Sequence, residues 1–243
     1  MRTGSEPVPN VVVRVPDLPA NGPAAGIVVV PDASPLSSSP GWRACKRALD
    51  VVASAILIAL SLPVMLLIAL AIKMGSPGPI LFRHRRVGRG GEEFDLLKFR
   101  TMVTDAEAAL EAYLRSDPRL LEEWNSAHKL RDDPRVTRIG RFLRKSSLDE
   151  LPQLFNILAG HMSLVGPRAV VRAELERFGA LAPTILSVKP GLTGLWAVSG
   201  RNDLSYEERA RLEHRYVTRW SFLLDLGILV RTIPAVLRGH GAY

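Results

Sequence analysis

The chain has 243 residues and a formal net charge of +8, with a sequence pI of about 10.1, so its partners are expected to be anionic. Its single cysteine, Cys45, excludes an internal disulfide framework and any metal site built from paired cysteines. No repeat is visible at the spacing of solenoids or propellers, so one domain of ordinary size with a tail is the simplest organisation.

The N-terminal segment, residues 1–41, is rich in proline and includes the run S-P-L-S-S-S-P from Ser34 to Pro40. Proline interrupts helices, and the segment has few large apolar residues beyond two valine-rich patches, so we expect a disordered tail. The segment is unlike a signal peptide, because the long apolar run begins only at Val51 and no short apolar region with a cleavage site precedes it.

The run from Val51 to Ile72 contains 22 residues without a formal charge, about enough for roughly 30 Å of helix and one bilayer crossing. This pattern predicts a membrane-embedded segment. Pro63 lies near its middle, two residues after Ser61, and removes a backbone hydrogen bond, so the helix should bend there. Basic residues flank the run on both sides, with Arg43, Lys46 and Arg47 before it and Lys73, Arg83, Arg85, Arg86 and Arg89 after it.

The two basic flanks place both ends of the run in the cytoplasm by the positive-inside rule. A re-entrant helix, broken at Ser61 to Pro63, satisfies both the flanks and the proline. A kinked helix that spans the membrane stays open as an alternative, because prolines are tolerated in spanning helices.

Two short strands are expected after this run, at Ile80–Phe82 and Phe94–Phe99, joined by a basic, glycine-rich loop. The loop suits lipid headgroups or a nucleotide phosphate, although its glycines lack P-loop spacing and favour a solvated turn. Lys98 and Arg100 are two residues apart and share one face if the segment is a strand, where two like charges need an anion or solvent.

The second half of the chain is mainly helical by its periodicity. Ser205 and Glu208 form a capping-box pattern ahead of a helix that runs to about Trp220. The segment 221–237 is apolar but interrupted by charge and proline, so it suits either an interfacial helix on the membrane or a core helix. The segment 189–202 is rich in glycine and is expected to be a functional loop. Further helices are expected at 105–114, 119–130, 136–145 and 169–178.

The segment from Arg144 to Arg168 carries the clearest chemical pattern. Asp149 and Glu150 are adjacent carboxylates just inside an apolar periodic segment that is typical of a helix ended by Gly160. A helix N-terminus carries partial positive charge, which would hold Asp149 ionised and receive a phosphate. The flanking cations suit a phosphate-bearing substrate, so the segment is a candidate site of phosphoryl transfer.

A purely structural interpretation explains the same two acids. Ser147 with Glu150 fits a capping box, or Pro152 is the first helical residue and both acids are cap groups. The residues alone leave both interpretations open.

Seven motifs follow one another along the chain: K-R-A-L-D at 46–50, S-L-P at 61–63, F-R-H-R-R-V-G at 82–88, K-F-R-T-M at 98–102, S-L-D-E-L-P-Q-L-F-N at 147–156, M-S-L-V-G-P-R at 162–168 and P-G-L-T-G-L-W-A-V-S-G-R-N at 190–202. Together they resemble the bacterial sugar transferases, also called monotopic polyprenyl-phosphate phosphoglycosyl transferases, over roughly residues 43–240. The stretch from Glu123 to Thr137 is most similar to the exopolysaccharide-initiating hexose-1-phosphate transferases.

The resemblance implies a reaction in two halves at the cytoplasmic face of the bacterial inner membrane. Asp149 would attack the β-phosphorus of a UDP-hexose, with galactose or glucose as the sugar, release UMP and keep the phosphosugar on its carboxylate. Undecaprenyl phosphate would then take that group. Mg²⁺, held by Asp149 and Glu150, would neutralise charge on the diphosphate, and Glu150 would help hold the metal or act as a base.

Matched residue by residue, a set of cations corresponds to family positions around the phosphates, and Ser61 with Pro63 corresponds to the break of a re-entrant helix. Cations clamp transferring phosphoryl groups, which agrees with the physical interpretation. Arg100 is added to the phosphate-binding set because it lies beside Lys98. The matched cations are Lys98, Arg144, Arg168 and Arg201.

The implied fold is mainly α with a small β element, and combines a re-entrant membrane helix with a cytoplasmic, membrane-associated catalytic domain that has interfacial amphipathic helices. The expected domains are a disordered tail at 1–41, the membrane helix-break-helix at 42–76 and the transferase domain at 77–243. The expected partners are a UDP-hexose, undecaprenyl phosphate and inner-membrane lipids, with no nucleic acid. The oligomeric state is left open, a homodimer included.

Two residues depart from the family pattern. Ala169 follows G-P-R, where the family usually has proline, and Ala197 stands where the family usually has glutamine. Ala197 removes a polar side chain near the expected nucleotide or sugar site, so the sequence does not fix the sugar.

The main alternative from another functional class is a non-catalytic, membrane-docked scaffold. Its basic surface would bind anionic lipid, and Asp149 with Glu150 would only cap a helix. A nucleic-acid binder is disfavoured by the apolar run and by the lack of a basic patch interleaved with aromatic residues. Release of UMP on addition of a UDP-sugar separates the enzyme from the scaffold.

Overall fold

The structure is a computed structural model that describes residues 39–116, 133–201 and 204–238, the single residues 120, 124 and 130, and the backbone of two strands at 11–15 and 26–30. These residues are mainly helical with small two-stranded sheets, which confirms the mainly α fold with a small β element. The α-helices are α1 Pro40–Gly75, α2 Ala106–Ser116, α3 Arg138–Ser146, α4 Gln153–Ala159, α5 Arg172–Phe178, α6 Ala182–Leu186, α7 Tyr206–Thr218 and α8 Phe222–Arg238. Turns of 3-10 helix lie at Arg89–Gly91, Leu148–Glu150 and Gly179–Leu181. The strands are β1 Val11–Val15, β2 Gly26–Val30, β3 Leu81–Val87, β4 Glu93–Phe99, β5 Ser163–Val165 and β6 Gly191–Thr193.

Helix α1 is a continuous helix of 36 residues, and it is long and apolar enough to cross a membrane by length and composition. Ser39 caps its N-terminus, since the Ser39 hydroxyl accepts a hydrogen bond from the Trp42 backbone N–H at 3.4 Å. The helix continues through Ser61 and Pro63, so the break expected there is not present as an interruption. The Ser61 hydroxyl donates to the Leu57 carbonyl at 2.6 Å, a local bond that bends a helix slightly without ending it.

Both ends of α1 pack against the same domain, whereas its centre does not. Asp50 is buried near the N-terminal end, and Ile68 and Ile72 are buried near the C-terminal end. Residues 55–64 include none that is buried, and Leu60 among them is 73% exposed. The apolar centre of α1 therefore protrudes from the domain between two docked ends.

Strands β3 and β4 pair antiparallel. The segment expected as a basic, glycine-rich loop is strand up to Val87, and only Arg89–Gly91 forms a turn, so that expectation is wrong for most of the segment. Arg85 lies 3.3 Å from Glu93 and 3.2 Å from Asp95 on the neighbouring strand. Cross-strand pairs of opposite charge stabilise a strand whose own residues carry little β propensity.

A second short sheet, β5 with β6, is parallel and was not expected from the sequence. A Cβ atom on Gly191 would lie 2.1 Å from the Gly166 nitrogen, so the two backbones approach more closely than any side chain would permit. This contact joins the motif that ends at Arg168 to the motif that contains Arg201. Two arginines that are far apart in sequence are thereby brought to one end of the sheet.

Two buried clusters hold the elements around this sheet. The larger cluster joins α4, β5 and α7, and the smaller one joins α1, β4 and α3. Leu148 and Leu151 pack against the smaller cluster, and Asp149 lies between these two leucines. The least exposed members are Leu154, Ile157, Met162, Val165, Tyr216, Val217 and Ile228 in the larger cluster and Ile72 and Leu143 in the smaller one.

The N-terminal segment differs from the expectation at two places. Strands β1 and β2 pair antiparallel, so the prediction of a tail without regular structure is wrong for them. Both strands are rich in valine, and β-branched residues favour strands. The other residues before Ser39 lie outside the described part of the chain.

The expected helices at 105–114, 136–145 and 169–178 correspond to α2, α3 and α5, whereas 119–130 lies outside the described residues except for three positions. The capping box ahead of α7 is confirmed, because Ser205 Oγ accepts from the Glu208 N–H at 3.2 Å and Glu208 accepts from the Ser205 N–H at 2.9 Å. In α8, Asp225 and Ile228 are buried while one apolar face is exposed, and the placement of that face on a membrane stays a prediction. The exposed residues of that face include Leu223, Leu226, Val230 and Ile233.

Candidate active site

Asp149 and Glu150 lie in a single turn of 3-10 helix between α3 and α4. Ser147, just before this turn, ends α3 in a left-handed conformation with φ of +57°. Helix α4 begins after Pro152 and ends at Gly160, whose φ of +91° is the left-handed conformation common at helix ends. The helix end at Gly160 is confirmed, but the two acids precede the α-helix and do not lie inside it.

Lys98, on β4, joins the two acids. Its ammonium Nζ lies 2.7 Å from Glu150 Oε1 and 3.6 Å from Asp149 Oδ2. Asp149 is buried with 7% of its surface exposed, whereas 35% of the Glu150 side chain is exposed. One carboxylate is therefore enclosed and the other reaches toward solvent, with a single ammonium between them.

The interpretation of the two acids as parts of helix caps is wrong. Ser147 makes no side-chain cap bond, and Pro152, which takes the N-cap position of α4, makes none either. Glu150 accepts its hydrogen bond from Lys98 instead. Burying a carboxylate costs free energy unless it is paired, so the enclosed Asp149 needs an explanation other than capping.

The pKa values of the two acids are shifted in opposite directions. Burial raises the pKa of Asp149, and the charge of Lys98 offsets only part of that increase. Burial also raises the pKa of Glu150, but the charge and hydrogen bond of Lys98, together with two arginines, outweigh it, so its pKa is lowered. The expectation that a helix start holds Asp149 ionised is corrected, because the charges of Lys98 and Arg144 oppose the effect of burial more than the Asp149 backbone N–H does.

Arg144 lies on α3 beside this pair. Its Nε donates to the Thr101 hydroxyl at 3.0 Å, and burial lowers its pKa while the charges of Asp149 and Asp133 partly compensate. Helix α3 comes this close because a Cβ on Gly140 would lie 2.0 Å from the Thr101 carbonyl oxygen, a space that only glycine leaves free. The expected place of Arg144 near the acids therefore depends on a glycine one turn earlier.

Arg168 and Arg201 act on the same acid, since the charges of both help to lower the pKa of Glu150. The guanidinium carbon of Arg168 lies 4.9 Å from the centre of the Trp196 ring. The Arg201 backbone N–H donates to the Trp196 carbonyl at 3.1 Å, with Arg201 in a left-handed conformation at φ of +54°. Trp196 is thus the common contact of the two arginines.

Arg100 is not brought to the acids. Its guanidinium donates to the backbone carbonyls of Ser76, at 2.9 Å, and Pro77. These carbonyls follow the C-terminus of α1, so Arg100 stabilises the exit from that helix and does not face Asp149 as expected.

Sequence reasoning missed a group of residues around Trp196. The guanidinium carbon of Arg209 lies 5.9 Å from the Trp196 ring centre, and Glu213 Oε1 accepts from the Arg168 backbone N–H at 2.9 Å. Burial raises the pKa of Glu213 to about 8, against the hydrogen bond from Arg168 and the charges of Arg168 and Arg209. Among the described residues, the buried atoms without a hydrogen-bond partner include Nε of Arg86, Arg168 and Arg209, Nε1 of Trp196 and Oε2 of Glu213.

The sequence held a signal for only part of this group. Arg86 and Trp196 lie inside two of the seven motifs, so the sequence marks both as candidate site residues. Arg209 and Glu213 lie on the amphipathic helix α7, where charged residues are ordinarily solvated, and nothing in the pattern marks them as buried.

The two acids are compatible with a metal ion that substrate phosphates help to hold. Mg²⁺ is commonly bound by one or two carboxylates together with phosphate oxygens. Within the described residues, no group of three or more His, Cys, Asp or Glu side chains is arranged to hold a metal ion. Asp149 and Glu150 therefore suit Mg²⁺ that arrives with a diphosphate and do not suit a metal held by protein alone.

The family model of the bacterial sugar transferases matches residues 41–239 of this chain. The chain is 49% identical over 201 residues to a UDP-galactose-lipid carrier transferase from Erwinia amylovora, a match that covers 83% of this chain and 42% of that protein. It is 48% identical over 198 residues to the exopolysaccharide production protein ExoY from Rhizobium meliloti (strain 1021), covering 82% of this chain and 88% of that protein.

A third relative extends the match into the N-terminal segment. The chain is 40% identical over 248 residues to a UDP-glucose:undecaprenyl-phosphate glucose-1-phosphate transferase from Caulobacter vibrioides, covering 98% of this chain and 86% of that protein. The chain thus spans less than half of the Erwinia protein and most of the other two.

Proposed function

The chain belongs to the bacterial sugar transferase family, and we propose that it transfers a hexose-1-phosphate from a UDP-sugar to undecaprenyl phosphate, as the first membrane step of exopolysaccharide biosynthesis. The observation that carries the proposal is the enclosure of Asp149 next to Lys98, at a place where Arg144 also bears on its pKa. A buried carboxylate among cations suits a nucleophile that must receive a phosphoryl group.

In the first half of the proposed reaction, Asp149 acts as the nucleophile. One of its carboxylate oxygens forms a bond to the β-phosphorus of the UDP-sugar. The bond from that phosphorus to the oxygen that bridges the two phosphates breaks, so UMP leaves with the bridging oxygen. The product is a mixed anhydride between the Asp149 carboxyl and the sugar phosphate.

In the second half, an oxygen of undecaprenyl phosphate forms a bond to the same phosphorus. The Asp149 oxygen leaves as a carboxylate, and the lipid carries the sugar through a diphosphate. Each half exchanges one phosphorus–oxygen bond for another, so the reaction consumes no water. Burial of Asp149 supports this course, because an enclosed anhydride is protected from hydrolysis.

The cations have separate tasks in this proposal. Lys98 balances the charge of both acids before the substrate arrives, and the guanidinium groups of Arg168 and Arg201 bind phosphate oxygens in pairs. Mg²⁺ is proposed as the metal, which Asp149 and Glu150 would hold together with the substrate, and it would neutralise charge on the diphosphate. Glu150, whose pKa is lowered, is the more readily ionised of the two ligands.

The docking of both ends of α1 supports a re-entrant path through the cytoplasmic leaflet. Asp50 near one end and Ile72 near the other are buried in one domain, while Leu60 in the centre is exposed. A domain on one side of a bilayer cannot enclose both ends of a helix that crosses it. We therefore place the domain at the cytoplasmic face of the inner membrane, with the centre of α1 and the exposed face of α8 in contact with lipid.

The relatives' names support galactose or glucose as the transferred sugar, since they include a UDP-galactose carrier transferase and a UDP-glucose transferase. Ala197 is buried beside Trp196 at the arginine-lined side of the site. The space that Ala197 leaves, where glutamine is usual, bears on which of the two sugars is preferred. A panel of UDP-hexoses with undecaprenyl phosphate and Mg²⁺ resolves the choice.

The test of the nucleophile is the Asp149→Asn variant, with UMP release and a radiolabelled sugar phosphate bound to the chain as readouts. An amide is a poor nucleophile, so we expect both signals to fall by at least about 1000-fold. Asp95→Asn is the matched control, because Asp95 pairs with Arg85 on the exposed sheet, and it should retain normal activity. Adduct formation by Asp149→Asn at near wild-type rate would reject the assignment and leave the scaffold as the better interpretation.

A further inference from the structure

A cavity of about 350 Å³ lies at the start of α1, and none of the residues assigned to the Asp149 site lines it. Its size falls at the lower end of the range for small-molecule sites. Helix α1, strand β5, the segment before β6 and the turn at Arg89 form its walls. Its charged lining consists of the cations Arg43, Lys46, Arg47, Arg89 and Lys189 and the carboxylate Asp50.

Two of these charged groups are already satisfied by the fold. Lys46 Nζ lies 2.5 Å from Asp225 Oδ2, so its charge is balanced from outside the cavity. Asp50 Oδ1 accepts hydrogen bonds from the Ser163 hydroxyl at 3.0 Å and from the Leu164 N–H at 2.9 Å. The carboxylate therefore has its own partners and is only one negative charge against the remaining cations.

Lys189 is a cation of this lining that has no direct partner in the described part of the fold. It is half-buried and has neither a hydrogen bond nor an ion pair within the described part of the chain. Burial and the charges of Arg47 and Arg89 lower its pKa, and the charge of Asp50 offsets only part of that decrease. Arg47 donates to the carbonyls of Ile157 and Leu158, at 2.5 and 2.8 Å, so it is held in place and cannot move away from Lys189.

The cavity lies next to the apolar run of α1. Its helical wall, from Arg43 to Asp50, directly precedes Val51, and Val52 is already 58% exposed. Trp42 is 49% exposed and packs edge-on against Trp220, with ring centres 5.9 Å apart. Tryptophan is enriched where a membrane meets water, so a chain embedded through residues 51–72 would hold this cavity among the lipid headgroups.

We propose that this cavity binds a phosphate group, separate from the substrate phosphates at Asp149. A phosphate accepts several charge-assisted hydrogen bonds at once, and it would give the Lys189 ammonium the direct partner that this ammonium lacks among the described residues. The group belongs either to the headgroup of an anionic phospholipid or to a soluble phosphate compound. Both share the same recognising chemistry, and the experiment distinguishes them.

The test uses the full chain purified in a neutral detergent and follows its thermal unfolding during two titrations. One titration adds short-chain phosphatidylglycerol, with phosphatidylcholine as the zwitterionic comparison, and the other adds inorganic phosphate against sodium chloride of equal ionic strength. A ligand that binds the folded state raises the unfolding temperature in a saturable way. A saturable increase with phosphatidylglycerol alone assigns a lipid headgroup, and one with inorganic phosphate assigns a soluble phosphate.

Lys189→Gln should weaken the apparent affinity by about tenfold or more, because a charge-assisted contact is lost. Lys189→Glu gives a sharper result, since it reverses the charge at this position and should abolish the response to ligand. The unfolding temperature of each ligand-free variant is measured alongside, so that a lost response is distinguished from a damaged fold. Arg215→Gln, which removes an exposed cation on α7, is the matched control and should respond as the wild type does.

Three outcomes would overturn the proposal. The first is that neither ligand produces a saturable increase. The second is that Lys189→Glu responds like the wild type, or that Arg215→Gln loses the response to the same extent as Lys189→Gln, which would indicate unspecific surface charge. The third is that Arg168→Lys, and not Lys189→Gln, loses the response, since the phosphate would then bind at the site around Asp149.

Discussion

Two buried polar clusters of this chain contrast in how their charges are paired. The anchor cluster, formed by Lys46, Tyr216, Trp220 and Asp225, joins α1 to α7 and α8. Asp225 receives hydrogen bonds from Lys46 at 2.5 Å, from the Tyr216 hydroxyl at 2.8 Å and from Trp220 Nε1 at 3.1 Å. The buried carboxylate of the anchor cluster is therefore fully engaged by the fold.

The second cluster is called the phosphate cluster, and its polar groups are only partly paired. It is formed by Lys98, Asp149, Glu150, Arg168 and Trp196. Lys98 alone pairs with two acids, and Nε of Arg168 and Nε1 of Trp196 are buried without a hydrogen-bond partner among the described residues. Buried polar groups are nearly always satisfied, and exceptions are frequent at functional sites. The contrast agrees with the proposal that the anchor cluster stabilises the fold and the phosphate cluster binds a substrate.

Breaking the anchor cluster should have the largest effect on stability. Asp225→Asn removes the ion-pair partner of the buried Lys46 ammonium, which should cost about 3 to 5 kcal/mol of the free energy of unfolding. Thermal unfolding in detergent measures the loss. The rate of UMP release per folded molecule should stay unchanged, because no member of the anchor cluster touches the acids.

A double variant, Lys46→Met with Asp225→Leu, serves as the control for that cost. Removing both charges should recover part of the stability, since the remaining costs are the lost acceptor of Tyr216 and Trp220 and the lost charge of Lys46 near Asp50. A loss below about 1 kcal/mol for Asp225→Asn would mean that the pair behaves like an exposed one, and the contrast would fail.

Arg168→Lys should have the opposite profile, with an effect on rate and little effect on stability. A single ammonium cannot bind two phosphate oxygens as a guanidinium does. The transferase rate should fall by about 10- to 1000-fold, which corresponds to roughly 1.5 to 4 kcal/mol of transition-state stabilisation. UMP release and thermal unfolding are measured on the same preparation.

Arg172→Lys is the matched control for that measurement, because Arg172 pairs with Glu93 on the surface, and its rate should stay normal. A normal rate for Arg168→Lys together with lower stability would place Arg168 with the anchor cluster and remove it from the phosphate cluster.

Glu213 links the phosphate cluster to pH, and its effect is the smallest of these only when it is taken over a single pH unit. Its pKa in the folded chain is about 8 against a usual value of 4.5, so between these values the folded chain keeps a proton that the unfolded chain has released. Stability should therefore fall as pH rises through that range, by up to about 1.4 kcal/mol per pH unit. Glu213→Gln has no carboxyl proton to release. Its free energy of unfolding relative to that of the wild type should therefore be higher at pH 8 than at pH 5.

Unfolding at a series of pH values between 5 and 8 measures this slope. Glu176→Gln, which changes an exposed acid on α5, should keep the slope of the wild type. Parallel pH curves for the wild type and Glu213→Gln would contradict the burial of a neutral Glu213 beside Arg168 and Arg209.

The acids and their nearest cations could be found from the sequence because their pattern is local. Asp149 and Glu150 are adjacent and lie next to an apolar periodic segment, and Arg144 is one and a half turns away on the preceding helix. Arg100 was assigned wrongly by the same kind of argument. Alternation along a strand places Lys98 and Arg100 on one face, but β4 ends at Phe99, so the periodicity no longer applies to Arg100.

Contacts between segments that are distant in sequence could not be predicted from local sequence patterns. Strands β5 and β6 have three residues each, too few to show a period, and they pair only because Gly166 and Gly191 leave room. Glu213 gave no signal either, since an acid on an amphipathic helix is ordinarily exposed. One lost hydrogen bond at Pro63 does not end a helix of 36 residues, and the re-entrant bend expected there stays a prediction.

Helix α4 connects Asp149, the proposed nucleophile, to α1, and this connection bears on how the two proposed substrates meet. Asp149 lies just before its first turn, and Arg47 of α1 binds the Ile157 and Leu158 carbonyls at its other end. Seven residues of helix form a rod about 10 Å long, too short to flex appreciably. If α1 is embedded in lipid as proposed, the depth of α1 sets the depth of Asp149. The proposed donor diffuses in water, whereas the tail of the proposed acceptor stays in the bilayer, so a rigid link that holds the Asp149 carboxylate at a constant depth would serve both.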